Sequence, residues 1–361
     1  MGLKILHTAD WHMDAPLTSF SEERRAFLRR AQLAIPGKIS EVCRREACDL
    51  VLLAGDVFDG IPSRDAVEAV RRALEECGVP VFVSPGNHDF CGTGSPWLEE
   101  TWPENVTVFT GGLKSIAIPA LNCRVYGAGY QSMDCGALLE EFHAEGKEKY
   151  QIGVLHSDPV TAGTPYCPIT AGQVRASGLD YLALGHIHKA GSFRAGDTLC
   201  GWPGCPMGRG WDETGEKGVY LVTLEEEAEL QFLPLDAPRF YELEADVTDG
   251  AEAALDALLP AGESQDFFRI TLTGQATVDV EALEKQYVHL PNLFFRDRTE
   301  PEADLWEEAD SDTFRGVYFR LLRQQAQENP RAVLGAKARL SDINRHRSQR
   351  HQICLLHCPY S

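Results

Sequence analysis

Asp10-Trp11-His12 follows the apolar run that opens this chain, and Gly55-Asp56-Val57-Phe58-Asp59 follows the next. Gly86-Asn87-His88-Asp89 follows a third run, His156 a fourth, and Gly185-His186-Ile187-His188 a fifth. Carboxylate, amide and imidazole donors without a thiolate suit Mn2+, Fe2+ or Zn2+ rather than a structural zinc. Singly, each pattern has a plainer explanation. Asp56 would cap a helix, Gly-Asn-His-Asp would form a polar turn, and His156 would sit as a satisfied core histidine. The His186-x-His188 pair puts alternate side chains on one face of an extended chain, which makes it the sharpest ligand signal. Open α/β sheets place their sites beyond strand ends, and five consecutive runs ending in such residues make coincidence remote.

The elements that must position these residues follow from the apolar pattern. Lys4–His7, Leu50–Ala54, Val79–Ser84, Gln151–Leu155 and Tyr181–Leu184 read as buried strands. Between the second and third, Ser63–Cys77 reads as a helix, with Ser63 as N-cap, Gly78 past its end, and Val67, Val70, Leu74 and Cys77 on one face. Strand, helix, strand at this pitch predicts βαβ units in a layered α/β domain. Phe193–Leu235 is more β-like, with turns at Gly201, Gly204 and Gly215. Composition shifts near Pro234–Pro238, and strand, helix, strand, helix, strand then follow as a small two-layer α+β module. The expected division is 1–238, 239–330 with an amphipathic helix at Asp312–Glu328, and a basic, mobile tail at 331–361.

Composition bounds the function. With 361 residues and 43% hydrophobic content, the chain has a sizeable core, and global disorder and fibrous repeats are excluded. No apolar run approaches the roughly 20 residues that span a bilayer, and the N-terminus has no signal-peptide pattern, so a cytoplasmic protein is expected. Eleven cysteines without a Cys-x-x-Cys pair indicate reduced thiols rather than a disulfide framework. His346, His351, Cys354, His357 and Cys358 match no usual zinc spacing. At a net charge of −20 the average field repels nucleic acid, so any such contact needs a local basic patch.

Asp-x-His, Gly-Asp-x-x-Asp, Gly-Asn-His-Asp, a lone His and Gly-His-x-His, in this order, resemble the signature of calcineurin-like metallophosphoesterases. Leu6-His7-Thr8-Ala9-Asp10-Trp11-His12 and the run at Gly55–Asp59 resemble the SbcD branch of DNA-repair exonucleases, and Met13-Asp14-Ala15-Pro16 looks closest to its YhaO-like bacterial members. The resemblance covers residues 1 to about 235. Gly60-Ile61 and Asp89 depart from protein serine/threonine phosphatases, which usually carry Arg-Gly and Gly-Asn-His-Glu at these places.

The resemblance implies an α/β fold: a four-layer metallophosphoesterase β-sandwich flanked by helices, with a small α+β C-terminal cap domain. It implies that Asp10, His12 and His188 hold one metal, Asn87, His156 and His186 a second, and that Asp56 bridges them. Two cations clamp both oxygens of an in-line displacement at phosphorus, so the protein need not supply a nucleophile. His88 would then act as general acid or charge stabiliser, with Asp59 as its partner. Archaeal relatives commonly carry histidine where Asp59 stands, whereas aspartate there is familiar in bacterial members.

The implied activity is a two-metal-dependent phosphodiesterase, a DNA repair exonuclease that recognises backbone and ends. Mn2+ is the foremost metal, with Fe2+, Mg2+ or Zn2+ as alternatives. An SbcC-like coiled-coil ATPase docking through C-terminal helices and a homodimer are the implied partners. Two other readings stay open: a small-nucleotide phosphodiesterase, and an adaptor for such an ATPase with vestigial activity. For DNA, residues 21–45 carry an excess of four positive charges, including Arg24 and Arg25, against the plainer reading of a solvated helix face. Lys189, Arg209 and Lys217 are further phosphate-contact candidates, and Trp11 and Phe90 would stack on a base or sit in the core.

Overall fold

The structure, a computed structural model, describes residues 2–301 and 307–328; the tail from 331, with its histidines and cysteines, lies outside the described residues. Strand β1 (Leu3–Thr8) leads into α1 (Glu22–Arg45), β2 (Leu50–Leu53), α2 (Arg64–Glu76), β3 (Val81–Val83), a short α3 (Pro96–Glu99) and β4 (Val106–Val108). Next come β5 (Lys114–Ile118), β6 (Cys123–Gly127), β7 (Tyr150–His156), α4 (Ala171–Ala176) and β8 (Tyr181–Gly185). Four strands follow in succession: β9 (Lys189–Ala195), β10 (Thr198–Gly204), β11 (Gly218–Leu224) and β12 (Ala228–Pro234). The chain ends with β13 (Phe240–Asp246), α5 (Ala251–Asp256), β14 (Phe267–Thr273), α6 (Val280–Gln286), β15 (Leu293–Asp297) and α7 (Phe314–Glu328).

Two six-stranded sheets form the body, in the orders β12-β11-β1-β2-β3-β4 and β5-β6-β7-β8-β10-β9. β1 to β4 run parallel, as do β6, β7, β8 and β10, while the flanking strands are antiparallel. The short apolar runs have no polar alternation because both faces of each central strand are covered. In β2, Leu50 and Leu52 face the opposing sheet, packed with Ile5, Phe82, Ile152, Val154, Tyr181 and Val222. Val51 and Leu53 face the other way, into a core with Leu28, Ile35 and Ile39 of α1 and Val67, Val70 and Leu74 of α2. Leu155, Leu182 and Leu184 do the same on the second sheet, with Val174 of α4. Helix, sheet, sheet, helix is a four-layer sandwich.

Local signals agree with these positions. The Ser63 hydroxyl accepts from the Ala66 amide at 3.3 Å and starts α2 as an N-cap. The strands and helices expected between Phe240 and Arg296 form as β13, α5, β14, α6 and β15, in a separate three-stranded sheet of order β13-β14-β15. β4, β5 and β6 went unread in the sequence.

The chain separates into two compact units. The first comprises Met1–Ala245, Leu255–Thr271 and Val280–Arg296. There Trp211, Phe240 and Phe267 gather into an aromatic cluster, with Phe240 and Phe267 stacked at 4.6 Å between centroids. The second comprises Asp246–Ala254, Leu272–Asp279 and the chain from Asp297. In it the Arg298 amide donates to the Leu272 carbonyl at 2.9 Å, and α7 buries Phe319 while exposing Val317, Tyr318 and Leu321. No helix among the described residues is long and apolar enough to cross a membrane.

Candidate metal centre

The loops after β1 and β2 are zipped together before any side chain is considered. The Asp10 amide donates to the Gly55 carbonyl at 3.0 Å, and the His12 amide to the Asp56 carbonyl at 2.9 Å. Asp10, His12 and Asp56 take left-handed backbone angles, with φ of 55°, 44° and 48°, and His186 has φ 87°. Such conformations cost about 1–3 kcal/mol each outside glycine and persist where the surroundings hold them. Here they turn consecutive polar side chains toward one point. Gly86 makes room for this: a Cβ there would meet Asp56 Oδ1 at 2.2 Å.

The donors converge in overlapping sets. Ligand atoms of Asp10, His12 and His188 lie within 4.8 Å of one another, as do those of Asp56, His156 and His186, and of His12, Asp56 and His88. His12 Nε2 faces His188 Nε2 at 3.1 Å. Asn87 Oδ1 stands 3.0 Å from His156 Nε2 and 3.2 Å from His186 Nδ1. Asp56 lies between the two groups, its Oδ2 3.3 Å from His156 Nε2 and 3.7 Å from His12 Nε2.

Hydrogen bonds behind the donors fix how they present themselves. His156 donates Nδ1–H to the Ala54 carbonyl at 2.9 Å, which turns Nε2 toward the centre. Asp10 accepts the His186 amide at 2.9 Å, and Asp56 Oδ1 accepts the His88 amide at 2.9 Å. Asp89 points away from the donors and ties the loops, accepting from the amides of Gly86 and Val57 and from the Trp97 indole. Burial pushes its carboxyl up to about 6.

The electrostatics call for positive charge. Asp10, His12, Asp56, Asn87 and His156 are all at most 3% exposed. Burial pushes the His156 imidazole down, yet Asp56 and Asp10 outweigh it and lift it to about 9. Burial opposes ionisation of Asp56 too, but His156, His12 and His88 hold its carboxyl well below the usual range. The buried His12 Nδ1 has no hydrogen-bond partner. A buried set of imidazole nitrogens and carboxylate oxygens aimed at one another, where the carboxylates favour positive charge, fits divalent cations in the space they surround.

His88 is the most accessible of these histidines, its side chain 41% exposed, with Nδ1 2.6 Å from Asp59 Oδ1. That hydrogen bond, against partial burial, raises the His88 pKa. The histidine at position 7, close in sequence to the first motif, has a different fate. It lies between the sheets, donates from Nε2 to the Leu184 carbonyl and accepts at Nδ1 from the Tyr181 hydroxyl, and burial holds it down to about 3.

The residues expected to meet DNA are less uniform. Lys189 is exposed, directly after His188. Arg25 is half-buried on α1, and Arg24 donates to the Pro291 carbonyl at 2.8 Å and lies over the Phe294 ring. Arg24 lines a cavity with Phe27 and His289, apart from the cleft that Asp59 borders with Thr18, Arg209, Trp211 and Arg269. Two expectations are corrected. Lys217 is buried and donates to the His188 carbonyl, and Arg209 is bound to Glu213, so neither offers its charge freely to a phosphate. Trp11 is 4% exposed with its indole N–H on Thr8, a core residue rather than a stacking platform. Glu213, which touches His188 at 2.7 Å, carries no motif and was missed.

A family model described as calcineurin-like phosphoesterase matches residues 3–190. The chain is 34% identical over 239 residues to YhaO of Bacillus subtilis strain 168, named an uncharacterized metallophosphoesterase, covering 61% of this chain and 57% of that one. It therefore spans less than two thirds of that relative's length. It is 24% identical over 331 residues to a subunit of the nuclease SbcCD of Staphylococcus saprophyticus, covering 82% of this chain and 85% of that one. A dimetal phosphatase from Danio rerio is similar at a TM-score of 0.44 and 15% identity, over 64% of this chain and 98% of that one.

Proposed function

The chain belongs to the calcineurin-like phosphoesterases, hydrolases that use divalent metals, and from that premise we propose that it is a two-metal phosphodiesterase whose substrate is DNA. The observation that carries the two-metal part is the place of Asp56, whose Oδ2 reaches toward donors of both groups, His156 at 3.3 Å and His12 at 3.7 Å. In this reading Asp10, His12 and His188 hold one cation, Asn87, His156 and His186 the other, and Asp56 is shared. Bound metals of this kind supply charge stabilisation at phosphorus and a water of lowered pKa. Mn2+ suits the mixed oxygen and nitrogen donors.

The side chains do the rest. His88, on the open side of the donors, holds a proton on Nε2 for the departing sugar oxygen. Asp59 takes the Nδ1–H and keeps the ring aimed. The cleft beside Asp59, with Thr18, Trp211 and Arg269 on its walls, leaves room for substrate flanking the scissile bond. The likeness to part of a named nuclease supports DNA over small nucleotides, and supports an SbcC-like partner. The region to about 238 would be catalytic, and the α+β module after it a cap.

The test is Mn2+-dependent cleavage of end-labelled double-stranded DNA beside bis-p-nitrophenyl phosphate. Wild type should cut both, and His88→Gln should lose about 10²–10⁴-fold on DNA and far less on the small diester, whose nitrophenolate leaves without a proton, while still binding Mn2+. Cleavage of the small diester alone, with a partner ATPase present, would remove DNA as the substrate. Cleavage of neither would remove the enzymatic reading.

A further inference from the structure

His188 Nδ1 has two neighbours that make opposite demands. Glu213 Oε1, at 2.7 Å, can only accept, so it requires a proton on Nδ1. An Arg209 guanidinium nitrogen, at 3.0 Å, can only donate, so it requires a bare Nδ1 and a proton on Nε2. The second arrangement would place an N–H where Nε2 faces His12 Nε2, and His188 could not offer a lone pair there. The surroundings resolve the conflict toward Glu213. The same guanidinium donates to Glu213 Oε1 at 2.6 Å, and the Arg209 amide donates to Oε2 at 2.8 Å. The Glu213 amide in turn donates to the Gly210 carbonyl at 3.1 Å, closing a turn that holds both residues. Glu213 is 5% exposed, so its carboxylate is committed to this pair.

We propose that Glu213 is a positioning residue: anchored by Arg209, it takes the Nδ1 proton of His188 and so commits His188 Nε2 to the cation held with Asp10 and His12. Lys217 and Cys205 complete the hold, donating to the His188 carbonyl at 3.3 Å each from the ammonium and the amide. Carboxylate, histidine and metal in line is a common way to fix a ligand's tautomer and raise its basicity. The loss of Glu213 has a further consequence here, because Arg209 is then free to donate into Nδ1 and impose the wrong tautomer. The inference rests on the two-metal reading above, and its test separates the two.

The test has two readouts on the full chain. The first is the histidine-labelled 15N spectrum of metal-free protein, in which wild-type His188 should carry its proton on Nδ1. The second is Mn2+ titration by calorimetry. Wild type should bind two equivalents, and Glu213→Ala should weaken one of them about 10–100-fold and spare the other. Glu213→Gln, whose amide oxygen can still accept, should keep most of the affinity. Adding Arg209→Met to Glu213→Ala should recover part of what was lost. A folded Glu213→Ala with both affinities unchanged overturns the proposal. So does a wild-type His188 protonated on Nε2, which decides the matter even where Glu213→Ala does not fold. If wild type binds no Mn2+ while the tautomer is as expected, the metal reading fails and the hydrogen-bond assignment stands.

Discussion

Asp59 lies against two imidazoles, His12 with Nδ1 at 3.8 Å and His88 with Nδ1 at hydrogen-bond distance, 2.6 Å, and the two together hold its carboxyl far below the usual range. An asparagine in its place keeps the size but has an amide that can donate into Nδ1 as readily as accept from it, so His88 loses its fixed orientation. Asp59→Asn is therefore expected to slow DNA cleavage by roughly 10²-fold, with Mn2+ affinity within a few-fold of wild type. An equal fall in metal affinity would mean that Asp59 acts on the donors instead. The donors were legible because each sits one to five residues past an apolar run, so the local pattern and the site coincide. Glu213 was not legible, because its partner His188 lies 25 residues away and an acidic residue after a glycine-rich turn is usually solvated. Only the i,i+4 spacing of Arg209 and Glu213 hints at a pair. The basicity of Lys217 and Arg209 was visible in the sequence and misleading, since charge says nothing of which carbonyl or carboxylate lies opposite.

At the scale of elements, the strands before Phe240 that the sequence marks singly are those with both faces buried, such as β2, whose four residues are all buried. β4 is half-buried throughout, and β5 begins with two exposed residues. Strands at or near sheet edges lose the apolar run that marks a central one, and three to five residues leave no period to detect. Where β2 and β8 end, the two sheets come close enough to exclude a side chain. A Cβ on Gly185 would stand 1.9 Å from the Ala54 carbonyl oxygen and 3.0 Å from the Ala9 methyl. Backbone cannot give way as a flexible side chain does, and the displaced segment carries Asp56 on one side and His186 on the other. Gly185→Ala is expected to destabilise by about 1–3 kcal/mol or more and to weaken Mn2+ binding. Gly37, inside α1, is the control, because a Cβ there would meet nothing within 4 Å. Gly37→Ala should stabilise by about 0.5–1 kcal/mol, because alanine has less chain entropy to lose in a helix. Thermal unfolding of the two variants side by side checks both signs, and equal melting temperatures would discard the close-approach argument.

Over the whole chain, a net charge of −20 means that folding gathers like charges, and the centre adds buried aspartates to that repulsion. Any divalent salt therefore relieves some repulsion by screening, and a rise in melting temperature on adding Mn2+ is not by itself a sign of a site. Specific binding has a different signature. A ligand that binds only the folded state stabilises it by about 2.7 kcal/mol at a hundred times its Kd, and the increment grows with the logarithm of concentration. For a chain of this size that is a rise of roughly 3–5 °C per site. EDTA-treated wild type is expected to melt lower by that order and to recover with Mn2+. Asp56→Asn removes the shared carboxylate while changing the net charge by one unit, so it keeps nearly all of the screening response and should lose most of the specific one. Calorimetric scans of both proteins across a Mn2+ series measure the difference directly. Parallel curves for wild type and Asp56→Asn would mean that the cations act on the surface field, and the assignment of Asp56 as the shared ligand would fall with them.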